Sequence, residues 1–170
     1  MSDVYRVLRE NLDDYKGSVR DGKRIYQAAM CETCHRMRGA GGAVGPDLTQ
    51  IMTRFKKQDL VTALTSPNDA ISDQYAFTLF HLEEDKKMAG RILSETDEKV
   101  TIMPNPYTTT YTVDLPKSDI LKRELSPVSP MPPGLLNRLN EQEVADLFAY
   151  LLSGGDKRHA VYGGKRGEKW

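Results

Sequence analysis

The chain holds only two cysteines, with two residues between them and a histidine directly after the second, in Met30-Cys31-Glu32-Thr33-Cys34-His35. A framework of disulfides is thereby excluded, and the spacing leaves a redox dithiol, half of a zinc site, or thioether attachment of haem. A thioredoxin-like dithiol calls for a strand ahead of the motif, whereas the segment before Cys31 reads as helix and is bounded by Gly17. A structural zinc site needs two further ligands, which would have to come from His81, His159 or carboxylates at no recognised spacing. Haem attachment needs two thiols that meet two vinyl groups and a histidine beside the second, so that imidazole rises under the iron. Two unrelated cysteines on an ordinary helix remain the bland alternative.

Around the motif the pattern is helical. Val4, Leu8 and Leu12, widened by Tyr5 and Val7, predict a helix over residues 3 to 14. Ser18 with Asp21 resembles a capping box for a second helix from about 20 to 35, which the cysteine motif would close. Residues 38 to 47 are too glycine-rich for regular structure and read as a loop passing close to something bulky, a cofactor being one candidate. Short helical stretches follow at 49 to 54 and 57 to 65, until Ser66-Pro67-Asn68 breaks the pattern. From residue 75 the character changes. Tyr75 to Leu82, Ala89 to Leu93, Lys99 to Met103 and Thr109 to Leu115 are rich in β-branched and aromatic residues, and Glu83 to Lys87 and Glu95 to Glu98 fit hairpin connections. A proline-rich connector from Ser126 to Gly134 leads to a last helix capped by Asn140 with Glu143, its apolar face made of Val144, Leu147, Phe148 and Leu151, stopped by Gly154 and Gly155.

The 170 residues suffice for one domain carrying a small insertion. The 24 basic residues balance the 24 acidic ones, so no long-range field points to nucleic acid or to an anionic membrane surface. No apolar run is long enough to span a membrane, no export signal opens the chain as given, and the last fifteen residues form a basic tail.

If haem is bound, the second nitrogen of His35 should donate to a fixed acceptor. The Pro46 carbonyl in Gly45-Pro46-Asp47-Leu48 suits that role, an ordinary Gly-Pro turn being the alternative. For a sixth ligand, methionine thioether is the usual partner of histidine in electron-transfer haems. Met131, in an extended Pro-Met-Pro-Pro segment, can hold sulfur with little ordering entropy. Met103 and Met52 read as core residues, Met30 and Met37 flank the motif too closely, Met88 adjoins a charged turn, and His81 stands well behind Met131.

With these residues together, the chain resembles class I cytochromes c: a helix, CxxCH, Gly-Pro-x-Leu, Met-Pro-Pro and a final helix ending Ala-Tyr-Leu-Leu. More closely it is similar to the haem-binding CxxCH domain of Planctomycetes and Verrucomicrobia, through Val44-Gly45-Pro46-Asp47-Leu48, Ile71-Ser72-Asp73-Gln74-Tyr75 and Ser129-Pro130-Met131-Pro132. The resemblance covers about residues 20 to 163. It implies Cys31 and Cys34 as thioether anchors of one haem c, His35 as proximal ligand, Met131 as distal ligand, and Pro46 as the acceptor for His35. It also implies a crossing of the first and last core helices, where Gly22 and Tyr26 meet Leu147 and Tyr150. The expected fold is mainly α, a class I cytochrome c core with a small antiparallel β insertion. Residues 1–19 would form a helix or linker, 20–155 the cytochrome domain with its insertion at about 75–120, and 156–170 the basic tail.

Two strong axial ligands leave no open coordination site, so the expected function is one-electron transfer rather than catalysis. The partner would be a redox protein or a fused dehydrogenase domain. A gas sensor or peroxidase-like domain with a labile Met131 is the rival. Thioether attachment takes place outside the cytoplasm, so a periplasmic or otherwise exported location is expected.

Overall fold

Ser18 caps the first helix that is described in full in the computed structural model, which describes residues 8, 17–156 and 158–159. The expected helix over 3 to 14 and the basic tail fall, but for isolated positions, outside the described residues. Helix α1, Val19–Ala28, follows Ser18, whose hydroxyl accepts from Asp21 N at 3.3 Å. The other half of the expected capping box is replaced from far along the chain: Ser18 N donates to Asp146 Oδ1 at 2.7 Å. Val19, Gly22 and Tyr26 are its buried face, at the spacing of successive helical turns.

The described chain divides into two units, one made of the stretches up to Pro67 and from Pro133 onward, the other of Asn68–Pro132. In the first, α1 is followed by a one-turn helix α2, Cys31–Cys34, by an antiparallel strand pair β1 (Arg36–Met37) and β2 (Ala40–Gly41), by a 3₁₀ turn at Ile51–Thr53, and by α3, Lys57–Thr65. The strand pair corrects the expectation that residues 38 to 47 are wholly irregular. Helix α4, Glu141–Leu152, closes the unit. Its cap is the reciprocal box anticipated from Asn140 and Glu143: Glu143 N donates to Asn140 Oδ1 at 3.0 Å and Asn140 N to Glu143 Oε2 at 2.8 Å.

Helices α1 and α4 cross at Gly22. A methyl group there would collide with the Asp146 carbonyl and lie 2.8 Å from Tyr150 Cβ, so only a residue without a side chain admits this approach. One turn on, the rings of Tyr26 and Tyr150 pack 5.3 Å apart at 55°, a tilted pairing favoured by their quadrupoles. Leu136, Val144, Leu147 and Phe148 are fully buried in the same unit.

The second unit is a five-stranded antiparallel sheet of β3 (Thr78–Leu82), β4 (Lys87–Glu95), β5 (Lys99–Met103), β6 (Val113–Pro116) and β7 (Ile120–Leu125), in the order β6-β5-β4-β3-β7. Its register sets Phe80 opposite Met88, Ile92 opposite Ile102 and Val100 opposite Leu115. These side chains share one face and form the unit's own core, against which Leu82, Val113 and Ile120 pack. The β3–β4 connection is tight because Glu84 and Asp85 both adopt positive φ, 58° and 56°, the twist a short hairpin prefers.

A mainly α fold with a small insertion therefore understates the β content. The molecule is mixed, with four described helices and a full sheet. Strand β7 was unexpected because five of its six residues are exposed, so it shows no alternation of apolar and polar positions. Tyr111 also departs from expectation: it is exposed and precedes β6, which starts at Val113. No described helix is long and apolar enough to cross a membrane.

Candidate functional site

The expected continuous helix to residue 35 is broken at Met30, which takes the left-handed conformation with φ 61° and ψ 14°. That break lets Cys31–Cys34 form a separate turn, with His35 N closing it on Cys31 O at 2.9 Å. Both cysteines are free thiols. Burial pushes the Cys31 thiol up to about 11 and raises that of Cys34, since a thiolate loses hydration there. Among the described residues no group of three or more histidine, cysteine or carboxylate side chains gathers.

His35 leaves the helical turn in an extended conformation, φ −110° and ψ 139°. Its carbonyl accepts a hydrogen bond from Tyr26 Oη at 2.9 Å. Its ring Nδ1 lies 3.0 Å from the Pro46 carbonyl. A carbonyl only accepts, so Nδ1 carries the proton and, in the neutral ring, Nε2 keeps its lone pair. Burial lowers the His35 pKa, opposed by the bond to Pro46, so the neutral, metal-binding form is favoured.

The glycine-rich loop wraps the motif's own backbone. Gly42 N donates to Glu32 O and Gly45 N to Cys34 O, each at 2.8 Å. A methyl group on Gly45 would stand 2.5 Å from His35 Cε1 and 2.7 Å from Nδ1, so the bulky neighbour of this loop is the histidine ring. The loop is pinned further along, where Thr49 N donates to Asp47 Oδ1 at 2.8 Å and Arg38 N to Thr49 Oγ1 at 2.7 Å.

Cys31, Cys34, His35 and Pro46 thus come together in the first unit. Two free thiols one turn apart, beside a neutral imidazole whose Nε2 has no hydrogen-bond partner among the described residues, form a donor set that fits covalent haem c. Tyr26 was missed as a site residue, and its place on the buried face of α1, nine positions before His35, was its only signal. Met131 belongs to the second unit, half-buried, with its amide donating to Ser129 Oγ at 3.2 Å. His81 is engaged elsewhere, with Nε2 2.8 Å from Glu124 Oε1, and Met103 is buried.

Compared with known families, the chain matches the one described as cytochrome c over residues 19–155. No individual curated protein matches it.

Proposed function

Because this chain belongs to the cytochrome c family, we propose that it is a single-haem electron carrier anchored through Cys31 and Cys34, with His35 and Met131 as axial ligands. The family implies covalent haem c and haem-based electron transfer, typically by a carrier rather than an enzyme. When bound, haem c supplies an iron that accepts and releases one electron. The carrying observation is the bond from His35 Nδ1 to the Pro46 carbonyl. It orients the ring, selects its tautomer and makes Nε2 a better donor. Gly45 backs the ring, and Tyr26 holds the residue's carbonyl.

The support for Met131 is its proline-flanked segment and the resemblance of Ser129-Pro130-Met131-Pro132 to the planctomycete and verrucomicrobial type, to which we assign the chain. Residues 20–155 are then the cytochrome domain with its β-rich insertion at about 75–120, with residues 1–19 a helix or linker and residues 156–170 a basic tail. The module serves a redox partner or a fused dehydrogenase domain, in the periplasm or an equivalent exported location where haem is attached.

The test is the visible spectrum of the matured, dithionite-reduced protein before and after carbon monoxide. The wild type should not change on the timescale in which Met131→Ala converts to a carbon monoxide complex, and Met103→Ala should behave as wild type. Rapid conversion of the wild type would put a gas-sensing or catalytic role ahead. An unresponsive Met131→Ala would remove Met131 from the ligand set.

A further inference from the structure

The strand-rich unit ties its own entry and exit together, and Met131 lies on the exit. Ser126, buried at 7% exposure, donates its amide to Phe77 O at 2.7 Å. Its hydroxyl accepts from Val128 N at 3.1 Å. Next along, Ser129 N donates to the Asn68 side-chain Oδ1 at 2.8 Å, and Ser129 Oγ accepts from Met131 N at 3.2 Å. Asn68 is the first residue of the unit, so this bond clamps the incoming chain to the segment that presents Met131. Pro127, Pro130, Pro132 and Pro133 restrict φ along the same stretch.

We infer that Asn68 and Ser129 are positioning residues for Met131, and that the strand-rich unit anchors the distal-ligand segment. The inference rests on Met131 being the distal ligand. A methionine on a free loop is ordered only when its sulfur binds, and that ordering costs backbone entropy. Here the backbone of residues 126 to 131 is already held by folding of the sheet and its neck. A held backbone keeps the population with Met131 dissociated small, and carbon monoxide enters only through that population. Removing one hydrogen bond of ordinary strength enlarges it roughly two- to tenfold.

The experiment uses the matured full chain and two readouts: the rate of carbon monoxide binding to the reduced protein, and the thioether-to-iron charge-transfer band of the oxidised protein. Asn68→Ala and Ser129→Ala should each bind carbon monoxide roughly two- to tenfold faster than wild type and weaken the band. Asn68→Asp and Ser129→Thr, which retain an acceptor for the Ser129 and Met131 amides, should restore both readouts. Met131→Ala is the reference for complete opening. If Met131→Ala opens the iron while both alanine variants of the clamp match wild type, the positioning role is overturned and the ligand assignment stands. If Met131→Ala itself binds no carbon monoxide, the ligand assignment fails and takes this inference with it.

Discussion

His35 is held at both its backbone and its ring: Tyr26 Oη donates to its carbonyl, and Nδ1 donates to that of Pro46. Tyr26→Phe keeps the packing against Tyr150 and leaves the His35 carbonyl without that donor, which costs about 1–2 kcal/mol. Burial also holds the Tyr26 hydroxyl well above the usual tyrosine range. A folded-state pKa above the unfolded one means that its stabilisation is complete below about pH 10 and is lost as pH rises further. Thermal melts should therefore show wild-type stability falling above about pH 10, and a shallower alkaline decline in Tyr26→Phe. At this scale the motif was legible because two thiols and an imidazole act through adjacent positions. The Tyr26 bond was not, since nothing local to either residue shows that a helix face will deliver a hydroxyl to that carbonyl.

At the scale of elements, caps and stops were the most readable features. Asn140 with Glu143, and the glycines after Leu152, are local signals with local partners. The join at Met30 was hidden because no glycine or proline marks it; a methionine occupies the left-handed conformation instead. Strand β7 was hidden because an edge strand with exposed side chains has no burial pattern to read. The crossing of α1 and α4 provides a quantitative test. Gly22→Ala should gain up to about 1 kcal/mol of helix propensity. Overpacking against Asp146 and Tyr150 costs about 1–3 kcal/mol or more. A net loss of roughly 2 kcal/mol in denaturant unfolding is expected, and a stabilised variant would show that the helices do not approach so closely.

At the scale of the molecule, each unit carries its own core: Tyr26, Leu136, Leu147 and Phe148 in one, Phe80, Val100, Ile102 and Leu115 in the other. Ile102→Ala should cost the sheet about 2–5 kcal/mol, read as faster hydrogen exchange at the β3 to β7 amides. Unchanged exchange there would mean that Ile102 is not central to that core. The sequence by itself determined the spacing of Cys31, Cys34 and His35, the caps of α1 and α4, and most of the strand stretches, because each depends on residues a few positions apart. Tertiary structure alone decided that Asp146 completes the cap at Ser18, that the glycine loop embraces the histidine ring, that β7 joins β3, and that Asn68 reaches Ser129. Those bonds unite residues that chain order separates, and only burial and pairing across the folded chain select them.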